Sequence, residues 1–256
     1  MTLESMVAVP SWSILDSAPR LEPTAVQLWR IRIDEEVGRE GWYVDQLDPS
    51  EKARAARFKF RRDQQRYAIA RGSLRSLLAL AVDCRPADLT FCVNPHGKPT
   101  LQGHDIQFNV THSGDFIVHA LTRAQLVGVD VERIRPLDDV DSIASSFAPE
   151  EVADMRQLPK ATRHVTFFTL WTCKEAYMKG VGKGLSKPLN SFSVSLAAGG
   201  PPRLLYDRED PTAAQSWHLL AFSPGTDHVG CLAVDGPVRD VSFVNFSGVS
   251  HAFGRW

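Results

Sequence analysis

The segment WTCKEAYMK, Trp171 to Lys179, is the part of the sequence that decides the fold prediction. It closes an apolar-rich stretch that begins at Ala161 and contains neither proline nor glycine, which predicts a helix. A carboxylate on an aromatic helix face is costly to bury unless it is paired or binds a metal ion. The residues leave a plain alternative open, a surface pair of Glu175 and Lys179 worth a few tenths of a kcal/mol. At about 100° per residue, one face carries Phe168, Trp171, Glu175, Met178 and Lys179.

Glycines follow this helix at once. Gly180, Gly182 and Gly184 come directly after Lys179. We therefore expect the helix to stop there and a flexible loop to leave its end.

Length and composition exclude several classes of protein. The chain has 256 residues, 43% of them apolar, enough for one large domain or two modest ones with their own cores. Its net charge of -1 argues against a protein whose whole surface binds a polyanion. The four cysteines have neither metal-site nor redox spacing, which suits a reducing cytoplasm. No signal peptide and no apolar run of about 18 residues is present, so we expect a cytoplasmic protein that does not enter a membrane.

The first third of the chain predicts a strand followed by a basic helix. Val26–Ile33 alternates apolar side chains as a half-buried strand does. Asp48-Pro49-Ser50-Glu51 combines a capping residue, a first-turn proline and a capping-box acid, which predicts a helix start. Between Lys52 and Arg75, this helix carries nine cations and one acid. The cations fit a solvated helix face or a cradle for phosphates, whereas a nucleic-acid site is less well supported because the stripe is short.

A group of short strands comes next. Between the first two of them lies a turn, residues 94–99, which holds Lys98 between Gly97 and Pro99. The second strand runs into His112-Ser113-Gly114, and polar side chains just past a strand end often bind ligands. A single histidine in such a place is nevertheless more often a structural hydrogen-bonding residue. The predicted strands are Leu89–Val93, Ile106–Thr111 and Phe116–Thr122.

Leu126–Arg133 (LVGVDVER) is the second decisive segment. It is typical of a strand in which Asp130 and Glu132, two residues apart, leave the same face. Two neighbouring carboxylates repel each other unless a cation lies between them. Together with Glu175 they would supply three oxygen ligands, a set that suits Mg²⁺, whereas no cluster of histidine and cysteine argues for zinc. Taken alone, an Asp-x-Glu strand is more often an ordinary solvent-facing strand.

The rest of the chain predicts two short helices and then a run of strands. The helices are Asp138–Phe147 and Pro149–Leu158. Turns rich in glycine and proline separate the strand candidates Phe192–Leu196, Arg203–Tyr206, Trp217–Phe222, Val229–Val234 and Val241–Val244. Each half of the chain thus has a strand, helices and then strands, without a repeat of residues. We therefore expect an α+β protein made of a pair of similar lobes, with an N-terminal arm over 1–23, a first lobe over 24–124 and a second lobe over 125–256.

Taken together, the motifs resemble one known family. Their order is a basic helix, a Gly-Lys-Pro turn, FNVTHS (Phe108–Ser113), GVDVE (Gly128–Glu132) and WTCKEAYMK, followed by Gly182-x-Gly184-Leu185. This order is similar to that of the 4′-phosphopantetheinyl transferases of the long, surfactin-synthetase-activating (Sfp-like) type, over roughly residues 49–194. The resemblance implies a pseudo-two-fold pair of α/β lobes, with the active site in the cleft between them.

The resemblance also implies a reaction and the residues that perform it. Members of the family transfer the 4′-phosphopantetheine arm of coenzyme A to a serine of an apo acyl or peptidyl carrier protein and release 3′,5′-ADP. Such a transfer needs mainly positioning and charge neutralisation. Glu175 or a metal-bound water would accept the proton of the serine, and Lys179 would contact the pyrophosphate, which makes these two the expected catalytic residues. The expected ligands of Mg²⁺, or of Mn²⁺ in its place, are Asp130, Glu132 and Glu175. The expected contacts with coenzyme A are Arg54, Lys98, Thr111, His112 and Lys179, with Thr111 where the family more often has serine.

Partners and oligomeric state follow from the same resemblance. We expect carrier protein domains and coenzyme A as partners, no nucleic acid and no membrane. We expect a monomer, because a chain of this length can build both sides of the cleft. Exposed apolar groups among Ile143, Phe147 and Met155 are candidates for carrier docking. Two other functions stay open on the residues alone, a Mg²⁺-dependent nucleotide or pyrophosphate hydrolase and a non-catalytic nucleotide-binding module.

Overall fold

The computed structural model describes residues 7–14, 20–137, 139–196 and 200–247. Its helices are α1 (Ile33–Glu36), α2 (Glu40–Asp45), α3 (Pro49–Ala56), α4 (Arg61–Val82), α5 (Val140–Ala144), α6 (Pro149–Gln157), α7 (Lys160–Val181) and α8 (Ala213–Ser216). Its strands are β1 (Ala25–Arg32), β2 (Phe91–Val93), β3 (Pro99–Leu101), β4 (Ile106–Ser113), β5 (Phe116–Arg123), β6 (Val127–Arg133), β7 (Phe192–Ser195), β8 (Arg203–Asp207), β9 (Trp217–Phe222), β10 (His228–Asp235) and β11 (Asp240–Asn245).

Two sheets lie face to face, and a 22-residue helix covers the other face of each. The first sheet has the strand order β11-β1-β5-β4 and the second has the order β6-β10-β9. Side chains of β1 and β5, among them Val26, Leu28 and Val118, pack against Val129 and Val131 of β6 in an apolar core between the sheets. The opposite faces pack against α4 in the first lobe and α7 in the second. The predicted α+β pair of similar lobes is confirmed, because the same unit of one long helix on one sheet occurs twice.

The long helix α7 lies close against β6. A Cβ on Gly128 of β6 would lie 2.0 Å from the carbonyl oxygen of Ala176, so only glycine permits this approach. The helix ends at Gly182, whose φ of 78° lies in the left-handed region that favours glycine. The predicted helix is therefore confirmed, although it continues through Gly180 and its last residue, Val181, lies two residues later than predicted. As a consequence, Asp130 and Glu132 of β6 lie close to Glu175 of α7, and all three line the same cavity.

The predicted single basic helix is in fact two helices, α3 and α4. The predicted capping box at the start of α3 is confirmed, since Asp48 Oδ1 accepts a hydrogen bond from the Glu51 amide at 2.9 Å. The chain then leaves the helix and turns back, so that Glu51 accepts hydrogen bonds from both Arg71 and Arg75 of α4. In one continuous helix, twenty residues would separate these groups by about 30 Å. Two of the nine cations are thus paired inside the first lobe.

The two lobes exchange segments at both ends of the described chain. The C-terminal strand β11 lies in the first sheet, where it pairs in parallel with β1. Residues 7–14 pair with both sheets, Ala8 with Phe222 of β9 and Ser13 with Val244 of β11. The division of the chain near residue 124 stays a prediction, and the first sheet contains strands from both halves of the chain.

Other elements differ from their predicted bounds by a few residues. Strand β2 starts at Phe91 because the carbonyl of Leu89 accepts a hydrogen bond from the buried Arg75 at 3.1 Å. Strand β4 continues to Ser113, beyond its predicted end. Helix α5 is shorter than predicted, and the predicted start of that helix, residue 138, lies outside the described residues. Across the described ranges, no helix is both long and apolar enough to cross a membrane.

Candidate active site

A cavity of about 310 Å³ opens between the lobes, where β4, β6 and α7 meet. We call it the central cavity. It brings together the three predicted metal ligands, both predicted catalytic residues and two further predicted contacts with coenzyme A. The acids of β6 face α7 because the alternate residues Val129 and Val131 fill the core between the sheets. The central cavity is lined by Val110, Thr111, His112, Asp130, Glu132, Trp171, Glu175 and Lys179.

Asp130 is the most buried acid of the central cavity, with 4% of its surface exposed. Its Oδ1 accepts hydrogen bonds from Lys179 Nζ at 2.6 Å and from Thr111 Oγ1 at 3.1 Å. Its Oδ2 is buried and has no hydrogen-bond partner among the described residues. Two residues further along β6, Glu132 Oε2 accepts a hydrogen bond from Ser113 Oγ at 2.9 Å. Each acid of β6 is thus held from β4 by a hydroxyl group.

Burial raises the pKa of all three acids above its usual value. For Asp130, the positive charge of Lys179 opposes this rise, whereas for Glu132 and Glu175 the negative charge of Asp130 adds to it. Glu175 is half-buried and forms no hydrogen bond or ion pair within the described chain. Carboxylates that raise one another's pKa are stabilised in their ionised form by a nearby cation.

The donor set suits a divalent cation in its chemistry. Mg²⁺ prefers carboxylate oxygens, and both Asp130 Oδ2 and the Glu175 carboxylate lack a partner in the described part of the chain. As the side chains are placed, however, the described residues include no group of three or more His, Cys, Asp or Glu gathered closely enough to hold a metal ion. Instead, Lys179 lies against Oδ1 of Asp130. A single cation shared by Asp130, Glu132 and Glu175 therefore stays a prediction.

Two further cavities continue from the central cavity along the first lobe. One of about 490 Å³ shares His112 with the central cavity and is also lined by Phe58, Arg66 and Tyr67. The next, of about 700 Å³, shares Tyr67 with that one and is lined by Arg54, whose guanidinium lies 5.5 Å from the Tyr67 ring. Burial and the charge of Arg66 lower the pKa of His112, so its imidazole is neutral at pH 7. The predicted contacts Arg54 and His112 therefore lie along one row of three cavities.

Lys98 lies at the end of α7 and does not line the central cavity. Its Nζ donates hydrogen bonds to the carbonyl oxygens of Gly180 at 2.8 Å and Val127 at 3.0 Å. Burial lowers the pKa of Lys98 to about 8. Asn94 of the same turn donates to the carbonyl of Gly182 at 2.9 Å. To contact a phosphate of coenzyme A, as predicted, Lys98 would have to leave both carbonyls.

A buried ion pair behind the central cavity was not predicted from the sequence. Lys174 Nζ donates to both carboxylate oxygens of Glu151, at 2.8 and 2.7 Å, and to the carbonyl of Phe192 at 2.9 Å. In the sequence, Glu151 is indistinguishable from an ordinary acid in the first turn of a helix, and its Oε2 does accept from the Ala148 amide. Trp171, beside this pair, stacks on the Phe167 ring as well as lining the cavity, in keeping with its predicted role in packing.

The three apolar candidates for carrier docking do not form an exposed patch. Phe147 and Met155 are 2% and 4% exposed and belong to the core of the second lobe, so neither is available for docking. Ile143 is 37% exposed. The spacing of apolar residues in two short predicted helices does not indicate which face of each packs against α7. In the structure, the two larger side chains, Phe147 and Met155, lie in the core.

Comparisons with known proteins agree on one family. Residues 126–233 match the family model of the 4′-phosphopantetheinyl transferase superfamily, and residues 40–123 match the model described as 4′-phosphopantetheinyl transferase, N-terminal. The 4′-phosphopantetheinyl transferase HetI of Nostoc sp. (strain PCC 7120) is 33% identical over 216 residues, which cover 82% of this chain and 88% of that protein. The 4′-phosphopantetheinyl transferase Sfp of Bacillus subtilis (strain 168) is 27% identical over 206 residues, which cover 80% of this chain and 90% of Sfp.

The matches extend over both lobes and the cleft between them. The two family models meet between β5 and β6. The crystal structure of Thermotoga maritima holo-[acyl-carrier-protein] synthase aligns with a TM-score of 0.36 at 19% identity, over 43% of this chain and 62% of that one. At 33% identity over four fifths of its length, the similarity to HetI decides the family. The chain belongs to the 4′-phosphopantetheinyl transferase superfamily.

Proposed function

We infer that this enzyme transfers the 4′-phosphopantetheine arm of coenzyme A to a serine hydroxyl of an apo acyl or peptidyl carrier protein and releases 3′,5′-ADP. Membership of the family supports the reaction. The assignment of residues is supported by one observation, the convergence of Asp130, Glu132, Glu175 and Lys179 in the central cavity between the lobes.

Asp130, Glu132 and Glu175 are the residues that would hold Mg²⁺, or Mn²⁺ in its place. Such an ion supplies charge neutralisation at a pyrophosphate when it is bound. The unpartnered Oδ2 of Asp130 and the raised pKa of each acid support this assignment. Lys179 has a flexible side chain that can turn from Asp130 towards a phosphate oxygen and stabilise its negative charge.

The transfer forms one P–O bond and breaks another. The serine oxygen attacks the phosphorus that carries the pantetheine arm, and the bond from this phosphorus to the bridging oxygen breaks. The electron pair of that bond leaves with 3′,5′-ADP. The proton of the serine goes to the carboxylate of Glu175, because burial and the charge of Asp130 raise the pKa of Glu175 and make it a better base near neutral pH.

Coenzyme A would lie along the row of three cavities. We place its pyrophosphate at the central cavity, near Lys179, Thr111 and His112, and its adenosine end towards Tyr67 and Arg54. The guanidinium of Arg54 is a suitable partner for a phosphate oxygen, and the ring of Tyr67 offers an apolar surface to a base.

One chain supplies both sides of the cleft, which supports a monomer. The four free cysteines suit a reducing cytoplasm, which is the location that we propose. Nucleic acid is not an expected partner, because part of the basic run is already paired. Arg71 and Arg75 are bound to Glu51, and Arg66 donates to the carbonyl of Gly114.

An intact-mass measurement on a carrier protein tests the reaction. The enzyme is incubated with coenzyme A, Mg²⁺ and an apo carrier domain, and the carrier is then weighed. We expect its mass to rise by one phosphopantetheine group, and no rise in the presence of EDTA or with the Glu175→Gln variant. Release of a nucleotide without any carrier would indicate a hydrolase instead. Binding of coenzyme A without any change in the carrier would indicate a binding module.

A further inference from the structure

Three side chains of β4 bind the free edge of β6. Strand β6 is an outer strand of its sheet and pairs with β10 on one side only. Three alternate residues of β4 each accept a hydrogen bond from an amide of β6, and we call these contacts the side-chain ladder. The amides of Val129, Val131 and Arg133 donate in turn to Asn109 Oδ1 at 2.9 Å, Thr111 Oγ1 at 3.3 Å and Ser113 Oγ at 3.0 Å.

The side-chain ladder joins two strands without pairing their backbones. Direct pairing would bring β4 and β6 to about 4.8 Å from each other. A side chain between the strands keeps them further apart and still satisfies the amides, which are costly to bury unpaired. The central cavity opens along this join, since its lining includes residues of both strands. The side-chain ladder therefore sets the spacing of the two lobes at the cavity.

Two of the three ladder contacts, which we call rungs, also hold the acids of the central cavity. They are the contacts of Thr111 and Ser113. The Thr111 hydroxyl donates its hydrogen to Asp130 at 3.1 Å, and the Ser113 hydroxyl donates its hydrogen to Glu132 at 2.9 Å. A hydroxyl group has one hydrogen, so a hydroxyl that accepts from an amide keeps that hydrogen for a carboxylate. In both rungs the amide belongs to the residue directly after the acid, so the same arrangement occurs twice, two residues apart.

We propose that Thr111 and Ser113 are positioning residues of the transfer reaction, whose hydroxyls fix the carboxylates of Asp130 and Glu132 so that the other oxygen of each would be available to a divalent cation. This inference rests on the proposed function. It agrees with the buried Oδ2 of Asp130, which has no partner in the described ranges. It also explains why a hydroxyl is present at position 111, whether threonine or serine supplies it.

The ladder gives Thr111 a different role from the predicted contact with coenzyme A. A phosphate oxygen accepts hydrogen bonds, and the single hydrogen of Thr111 is already donated to Asp130. The oxygen of Thr111 also lies 3.4 Å from Lys179 Nζ, which donates to it. Thr111 therefore acts on the substrate through Asp130 and Lys179.

Binding of Mn²⁺, followed by electron paramagnetic resonance without any substrate, tests the proposal. We expect Ser113→Ala to weaken Mn²⁺ binding by about 10- to 100-fold, as loss of a group that orients a metal ligand does. At a saturating concentration of Mg²⁺, we expect its KM for coenzyme A to stay within about twofold, since Ser113 does not line the central cavity. Ser113→Thr keeps the hydroxyl and should bind Mn²⁺ as the wild type does.

Asn109→Ala is the matched control. This variant removes the hydrogen-bond acceptor of the Val129 amide. The residue before Val129 is Gly128, which has no carboxylate for Asn109 to hold. We therefore expect a lower melting temperature with Mn²⁺ binding within about twofold of the wild type. If Asn109→Ala lost Mn²⁺ binding to the same extent as Ser113→Ala, the ladder contacts would act through stability alone and the proposal would be overturned.

The outcomes separate this inference from the proposed function. A wild-type protein that neither binds Mn²⁺ nor modifies a carrier would overturn the proposed function and this inference with it. A wild type that does both, with Ser113→Ala folded and binding Mn²⁺ equally well, would overturn the inference alone. If Ser113→Ala does not fold, the pair Thr111→Val and Thr111→Ser decides, because only the former lacks the hydroxyl and it keeps the side-chain shape. Equal binding by that pair would refute the positioning role.

Discussion

Replacing Lys98 by methionine would test how the two lobes are held together at the end of α7. In the wild type, the ammonium group donates to the carbonyls of Gly180 and Val127 and has no carboxylate partner among the described residues. Methionine fills much of the same space and removes the donor. We expect the variant to be less stable, because both carbonyls would lose a charged hydrogen-bond donor.

The pH dependence of that loss can be worked out from the burial of Lys98. Burial lowers the pKa of Lys98 from 10.5 to about 8. Between these values the unfolded chain binds a proton that the folded protein has released, so the free energy of unfolding rises with pH. Each tenfold change in proton affinity corresponds to about 1.4 kcal/mol, which gives a rise of about 3 kcal/mol over this window. The Lys98→Met variant lacks the titrating group, so the difference in stability between wild type and variant should widen by about this amount.

Urea unfolding of both proteins at about pH 7.5 and about pH 10 measures this difference. Lys98→Arg is the control, because arginine keeps a charged donor that does not titrate in this range. For both variants, the difference from wild type in the free energy of unfolding should widen as the pH rises. At about pH 7.5 this difference should be smaller for the arginine variant than for the methionine variant. A difference that stays constant within about 1 kcal/mol across this pH range would refute the burial of the ammonium group at this join.

Three further changes test other contacts. Glu175→Gln should lower the kcat of carrier modification by about 10²- to 10⁴-fold with an unchanged melting temperature, and a variant that kept more than about a tenth of the activity would contradict its role as base. Lys174→Met should lower the free energy of unfolding, measured with urea, by about 3 to 5 kcal/mol, because it leaves Glu151 buried without its cation; a loss under about 1 kcal/mol would contradict this. Gly128→Ala should force α7 away from β6, because the new Cβ would meet the carbonyl of Ala176 at 2.0 Å. A calorimetric melting temperature equal to that of the wild type would show that the helix is not held so closely.

Local patterns in the sequence account for the elements that carry the central cavity. Alternation along GVDVE places Asp130 and Glu132 on one face of a strand, and the helical period places Glu175 and Lys179 on one face of α7. The structure shows all four lining the central cavity. Their convergence did not follow from spacing, because no local pattern fixes how α7 crosses β6. The resemblance to a family supplied that step.

Contacts between distant segments account for what the sequence did not predict. Lys98 was predicted to contact a phosphate of coenzyme A. In the structure its Nζ donates a hydrogen bond to the carbonyl of Gly180, 82 residues away. Arg71 belongs to a basic run with a single acid, and its partner, Glu51, precedes that run. Phe147 was a candidate for carrier docking if exposed, and it lies in the core of the second lobe. In each case the deciding partner is set by the way the elements pack, which single-sequence patterns do not encode.

The parallel strand β11 has a consequence for any attempt to divide this protein. It forms one margin of the first sheet, although it follows all the strands of the second sheet in the chain. A chain cut between β5 and β6 would give a first fragment with β1 bare along one side and a second fragment with β11 unpaired. An unpaired strand edge exposes backbone N–H and C=O groups, which can pair with strands of other chains and lead to aggregation. The two fragments are obligate complements: produced together they can restore the missing pairing, and produced singly each would aggregate.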